Sequence, residues 1–200
     1  MQQIFDTLIN SFIESKVGIA DHFLSDRLAG HLKDNLNTLY DGNNMLAAGT
    51  GNKELALKDK LVRSDVIYWL DRSHNDPYEN EFFDLMDAFI LHLNSECYTG
   101  ITGYEFHYTL YEEGSFYKKH LDQFRNNESR QYSMIMYLNV DWVEEDGGQL
   151  SITRTGGDQQ ISPTNGKTVF FRSSEMEHEV LVTNKVRLSI TGWLKKDSIH

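Results

Sequence analysis

From Tyr104 onward the chain breaks into short runs rich in Val, Ile, Thr, Tyr and Phe. They are separated by the turns Glu112-Glu113-Gly114, Asp146-Gly147-Gly148, Gly156-Gly157-Asp158 and Thr164-Asn165-Gly166. Short, evenly spaced strands with glycine turns predict an antiparallel sandwich or barrel, because period-two alternation buries one side of each strand. The preceding half has a different rhythm. Phe5, Leu8, Ile9, Phe12 and Ile13 fall on one helical face, and Ser25 stands before a second helix carrying Leu28, Leu32, Leu36 and Leu39. Asp76-Pro77 opens a third helix with Phe82, Phe83, Met86, Phe89, Ile90 and Leu93 as its core stripe. Residues 41–60 are polar, glycine-bearing and without period, and read mainly as a long loop of the kind that serves as a mobile cover.

With two prolines and no low-complexity stretch, no rigid linker divides the chain. The expectation is one α+β domain over 1–200. Its first hundred residues would be mainly helical with one strand segment, and 101–197 would form the barrel. Nowhere do eighteen apolar residues run together, so no transmembrane helix is expected, and the N-terminus lacks the pattern of a secretory signal, which makes a reducing cytoplasm the default address.

The single cysteine, Cys97, excludes an internal disulfide and an all-cysteine metal cage, so any metal must use His and carboxylate. Thirty Asp and Glu against nineteen Lys and Arg leave a net charge of −11, which opposes binding to phosphate backbones and sets nucleic acid aside as a partner. In a strand, His120 and Asp122 share a face. The same spacing recurs at His74-Asn75-Asp76, but there Asp76 is better explained as a helix cap. Downstream, Met176, His178 and Val180 alternate with Glu175, Glu177 and Glu179, which turns His178 inward and the glutamates to solvent. In Arg187-Leu188-Ser189-Ile190-Thr191-Gly192-Trp193, Arg187 shares a face with Ser189, Thr191 and Trp193. A charge in so apolar a strand requires a buried anionic partner.

Two His and one carboxylate with open positions form the facial triad of non-haem Fe(II) oxygenases, although zinc fits the same ligands. The arginine favours iron with a dicarboxylate: 2-oxoglutarate would chelate iron through its 2-oxo acid and place its distal carboxylate on the planar fork of Arg187.

These residues, together with Val62-Arg63-Ser64-Asp65-Val66-Ile67-Tyr68-Trp69-Leu70, Tyr111 to Tyr117, Met136-Tyr137-Leu138-Asn139 and Gly147-Gly148-Gln149-Leu150, resemble the 2-oxoglutarate and Fe(II)-dependent prolyl hydroxylases, the prolyl hydroxylase domain branch in particular. The resemblance covers about Leu61 to Trp193. It implies a double-stranded β-helix, or jelly roll, buttressed by the N-terminal helices, with iron on His120, Asp122 and His178. It implies 2-oxoglutarate on Arg187 and Tyr137, in a pocket walled by Tyr111, Ile135, Leu150, Val180, Thr191 and Trp193. Arg63, Asp65, Trp69 and Arg130 match positions near the substrate mouth; for Arg63 and Asp65 a structural ion pair is the alternative, and for Trp69 packing. Ser64 stands where the family usually has glycine. The remaining histidines, His107 among them, have no partner pattern and are expected to be structural or solvated.

The implied activity is hydroxylation of a prolyl residue in a protein, consuming O2 and releasing succinate and CO2, with L-ascorbate as reductant. Bacterial relatives of the branch look like modifiers of a translation elongation factor, which makes such a partner an expectation. The competing readings are a hydroxylase of a free amino acid or other small molecule, and a metal-free jelly-roll binding module.

Overall fold

The computed structural model describes residues 2–49, 62–123 and 128–196. Three helices form where the apolar stripes predict them: α1 (Gln2–Ser15), α2 (Asp26–Asp41) and α3 (Pro77–Cys97). The Ser25 hydroxyl accepts from the Leu28 amide at 3.2 Å, and the Asp76 carboxylate accepts from the amides of Tyr78 and Glu79, both at 2.9 Å, so each cap satisfies donors the first helical turn leaves unpaired. The face of α1 is narrower than expected. Phe5, Leu8 and Ile9 are buried and Phe12 packs on Tyr132 and Phe170, but Ile13, one position further round the helix, is 63% exposed.

Eleven strands are described: β1 (Val17–Ala20), β2 (Leu46–Ala47), β3 (Val66–Trp69), β4 (Gly103–Tyr111), β5 (Tyr117–His120), β6 (Arg130–Tyr137), β7 (Leu150–Ile152), β8 (Gln159–Ile161), β9 (Thr168–Arg172), β10 (His178–Val180) and β11 (Arg187–Lys195). They form a seven-stranded sheet in the order β1-β9-β6-β11-β4-β3-β2 and a four-stranded sheet in the order β5-β10-β7-β8. Every pairing between these strands is antiparallel, the arrangement of a jelly roll. Three strand segments, not one, lie in the first hundred residues. β1 and β2 are too short to show a period and form only because β9 and β3 offer them free edges, as in Leu46↔Ile67 and Val17↔Phe171. The loop expected over 41–60 therefore contains β2; its remainder from 50 on, and with it the expected cover, lies outside the described residues.

The centre of the large sheet is buried on both faces. Met134, Met136, Phe170, Leu188, Ile190 and Leu194 point to the helices, and the alternate positions Ile135, Tyr137, Val169 and Phe171 point between the sheets. A slip of one residue would exchange these two environments, so the register of β6, β9 and β11 is strongly specified. Among the described residues no helix is long and apolar enough to cross a membrane.

Gly192 marks the tightest point of this packing. A Cβ there would lie 2.2 Å from the Phe106 ring and 2.3 Å from the Glu105 carbonyl oxygen. Gly192→Ala is expected to lower Tm by about 5 °C or more through overpacking. Thermal unfolding followed by circular dichroism checks this, and an unchanged Tm would show that β4 and β11 can separate without cost.

Candidate active site

Antiparallel pairing of β5 with β10 sets His120 directly opposite His178. Asp122, just past β5, closes the group: its Oδ1 lies 3.4 Å from His120 Nε2 and its Oδ2 3.6 Å from His178 Nε2. One ligand atom from each of the three falls within 4.8 Å of the others, and among the described residues this is the one His, Cys, Asp and Glu group of that kind. His120 Nδ1 donates to the Lys118 carbonyl at 2.8 Å and His178 Nδ1 to the Met176 carbonyl at 2.9 Å. A carbonyl only accepts, so each ring carries its proton on Nδ1 and presents the Nε2 lone pair to the same point.

Burial pushes the Asp122 carboxyl up. The neighbouring His178 and His120 together with the Ser133 hydroxyl, which donates to Oδ2 at 2.6 Å, outweigh that effect and hold it below the ordinary carboxylate range. Burial lowers His178, with Asp122 opposing, which favours the neutral ring a cation needs. The three side chains thus fit a divalent ion with open positions. The glutamates flanking His178 face away: Glu175 and Glu177 are exposed and Glu179 is half-buried.

The inward face of β11 runs from Arg187 through Ser189 and Thr191 to Trp193. Across the sheet Arg187 pairs with Tyr111, Ser189 with Thr109 and Tyr137, Thr191 with His107 and Ile135, and Trp193 with Glu105 and Ser133. Since Ser133 holds Asp122, the metal-fitting group lies toward the Trp193 end and Arg187 lies at the other.

Arg187 is 1% exposed. Its Nε donates to the Gly148 carbonyl at 2.9 Å, and its guanidinium carbon sits 5.0 Å from the ring centres of both Tyr111 and Tyr137. Gly148 has φ +63°, and a Cβ there would come within 3.0 Å of the Arg187 Cδ, so this turn needs glycine to reach the side chain. The anionic partner expected from the sequence does not come from the described residues. A second guanidinium nitrogen, the Tyr137 hydroxyl and the Trp193 Nε1 are all buried with no hydrogen-bond partner. Burial pushes the Tyr137 phenol up, which keeps it a donor. The Arg187 nitrogen and the Tyr137 hydroxyl, unpaired donors at the same end of the site, fit a carboxylate brought by a ligand, whereas Trp193 stands at the metal-fitting end.

The cavity between these ends is lined by Tyr111, Ile135, Leu150, Val180, Thr191 and Trp193, as expected, and by Arg63 and Arg130 at its rim. Asp65 does not line it. It is buried and takes both Arg63 Nε at 2.7 Å and a terminal Arg63 nitrogen at 2.5 Å, while the Arg63 guanidinium lies 4.2 Å over the Tyr117 ring. Tyr117 in turn stacks on His120 at 3.6 Å, so the structural ion pair weighed for Arg63 and Asp65 is present and buttresses the His120 ring. Trp69 is 46% exposed and stands outside the wall, edge-on to His107. Arg130 bonds Glu105 and lies 3.4 Å over the Trp193 ring.

Four lining residues escaped the sequence reading: His107, Thr109, Tyr117 and Leu121. Of the two alternatives expected for His107, structural or solvated, burial leaves the first: it is 3% exposed and stands in the cavity wall. The signal was available: counting back by two from Tyr111 reaches Thr109 and His107.

Two outcomes follow from this chemistry. Because the buried guanidinium lacks a counter-charge among the described residues, Arg187→Met is expected to leave the Tm of the protein unchanged or higher when no dicarboxylate is added; a fall of more than about 5 °C would reveal an anionic partner within the chain. Burial lowers the His107 imidazole to about 4. Its folded pKa is depressed, so the stability it contributes is present above the unfolded value near 6.5 and is lost as pH falls toward 4. The Tm of wild type minus that of His107→Gln should therefore shrink between pH 7 and pH 4. A pH-independent difference would mean that folding does not shift the His107 imidazole, and a difference that grows toward pH 4 would mean that the folded protein favours its charged form.

Residues 106–195 match the family model of the 2OG-Fe(II) oxygenase superfamily. Among solved structures, a Pseudomonas putida prolyl-4-hydroxylase is 29% identical, with 97% of this chain and all of that chain covered at a TM-score of 0.86. A Trichoplax adhaerens prolyl hydroxylase, crystallised with a hypoxia inducible factor peptide fragment, is 20% identical over 98% of this chain and 90% of that one, with a TM-score of 0.85. The α-ketoglutarate-dependent epimerase SnoN from nogalamycin biosynthesis is 12% identical over 98% and 84%, TM-score 0.66, so the shared fold by itself does not define the reaction. Fold, metal-fitting triad and these matches together support a 2-oxoglutarate and Fe(II)-dependent oxygenase that is prolyl 4-hydroxylase-like in kind.

Proposed function

We propose that the chain hydroxylates a prolyl residue within a protein or peptide, with Fe(II) held by His120, Asp122 and His178 and 2-oxoglutarate anchored by Arg187. The observation that carries this reading is the buried guanidinium with an unpartnered nitrogen, facing the same cavity as three ligands that converge on one point. Bound together, iron, 2-oxoglutarate and O2 supply the oxidation: the 2-oxo acid loses CO2 and becomes succinate, one oxygen atom entering the new carboxylate and the other the substrate C–H bond.

The protein's part is placement. Arg187 and the Tyr137 hydroxyl bind the distal carboxylate, and Tyr111 stacks beside the guanidinium. Leu150, Val180 and Ile135 exclude water from the apolar middle of the cavity, where the charge–charge attraction is then strong. Thr191 and Trp193 offer polar atoms toward the metal end. Ser133 holds Asp122, and Arg63 with Asp65 holds Tyr117 against His120, fixing two of the three ligands. Arg130, Arg63 and the exposed Trp69 lie around the opening, where a chain segment would enter. A peptide substrate draws support from the Trichoplax relative, which holds a peptide on the same fold. An elongation factor has only the family resemblance behind it, and the peptide class is what we put forward.

Purified protein supplied with Fe(II), 2-oxoglutarate and ascorbate is expected to form succinate, and His120→Ala to abolish it; full turnover in that variant would sink the ligand assignment. Arg187→Ala should weaken 2-oxoglutarate binding by about 30-fold to several thousand-fold, the range for truncating one partner of a buried charge pair. An unchanged 2-oxoglutarate KM would remove Arg187 from the anchor role. If free proline alone gained oxygen in a mass-spectrometric screen, the substrate would be the amino acid and not a peptide.

A further inference from the structure

His107 is a polar residue in the cavity wall that the assignments above leave without a task. It is 3% exposed and sits in register between Thr191 on β11 and Trp69 on β3. It therefore links the barrel interior to the half-exposed tryptophan outside. Trp69 meets its ring edge-on at 5.0 Å and Trp193 lies 5.6 Å away, which fixes the imidazole plane.

The hydrogen bonds of His107 decide which ring nitrogen is left as an acceptor. Nδ1 lies 3.1 Å from the Tyr108 carbonyl oxygen and 2.9 Å from the Thr109 hydroxyl. The carbonyl can only accept, so Nδ1 carries the proton, and the hydroxyl accommodates either role. Nε2 then keeps its lone pair and has no hydrogen-bond partner among the described residues. Burial keeps this ring uncharged at neutral pH.

An acceptor at this place is wrong for 2-oxoglutarate, whose oxygens are acceptors too and whose anchoring donors stand two rows away at Arg187. It suits a ligand that brings an N–H. A prolyl residue has no amide hydrogen of its own, so the nearest donors in an extended substrate are the amides of its neighbours. We propose that His107 is a specificity-determining residue that accepts, through Nε2, a hydrogen bond from a backbone N–H flanking the target proline. The inference rests on the reading of the chain as a peptide hydroxylase. It adds the group that sets the register of the peptide relative to the metal end, where Trp193 and Ser133 occupy the adjacent row.

The test uses the Fe(II)- and 2-oxoglutarate-loaded enzyme and a library of capped peptides of the form Gly-Xaa-Pro-Yaa-Gly. The member giving the greatest peptide-stimulated succinate release is then compared with its analogues N-methylated at Xaa or at Yaa. In the wild type, methylation at one of the two positions should raise the peptide KM about tenfold, the worth of one hydrogen bond, with the 2-oxoglutarate KM unchanged. In His107→Leu that penalty should fall below about twofold, and His107→Gln, whose side-chain oxygen can accept, should restore it. Peptide affinity under anaerobic conditions, read from the fluorescence of the flanking Trp69 and Trp193, should follow the same order. Equal penalties in wild type and His107→Leu, or no library member that stimulates succinate release, would overturn the inference. Absence of succinate from the wild type both with and without peptide would overturn the oxygenase reading beneath it. Thermal unfolding of both variants confirms that they are folded when compared.

Discussion

A guanidinium buried to 1% with one nitrogen unbonded is the most demanding group in this molecule. An uncompensated buried charge costs about 3–5 kcal/mol, and the chain meets only part of that cost, through the Gly148 carbonyl and the faces of two tyrosines. The surrounding architecture follows from it. The Asp146-Gly147-Gly148 turn takes positive φ at both glycines so that its backbone can approach the side chain. β11 lies at the centre of the large sheet with β4 and β6 on either side, which keeps water away, and the opposite sheet supplies the apolar cover. The site is thus stored electrostatic strain that an anionic ligand relieves.

At the other end of the cavity the problem is orientation. Three ligand atoms can converge only if two imidazoles and a carboxylate are each held by something else. Backbone carbonyls set both ring tautomers, Ser133 holds one carboxylate oxygen, and a chain of contacts runs from Asp65 through Arg63 and Tyr117 to the His120 ring. The Arg63–Asp65 pair makes sense in this light. Asp65 is 2% exposed, too deep to meet a substrate, yet well placed to hold the cation that presses Tyr117 onto a ligand.

The acidic composition also takes on a local meaning. The opening of the cavity carries arginines in a chain of net charge −11, and the acidic residues beside them, Asp65 and Glu105, are engaged in holding Arg63 and Arg130. Charge near the mouth is consumed in rigidity, which leaves aromatic faces and single hydrogen-bonding atoms to meet a ligand there.

Much of this was legible in the chain itself, because alternation is a local property. Period two put His178, Arg187 and Thr191 inward and Leu188 and Ile190 toward the helices, and the caps at Ser25 and Asp76 marked where α2 and α3 begin. The His-x-Asp pair, His178 and the inward arginine together pointed to a metal and a dicarboxylate. What could not be read were relations between distant segments. The short strands β1 and β2 exist only because β9 and β3 present edges; Ile13 is exposed beside a packed Phe12; and His107, inward by the same alternation, stayed unassigned until pairing set it between Thr191 and Trp69. The sequence by itself determined which side chains face the barrel, since that depends on backbone geometry along one strand. Which of them meet, and that the buried arginine finds no carboxylate in the described chain, was decided only by the tertiary structure, because register and sheet packing bring together residues that no local pattern relates.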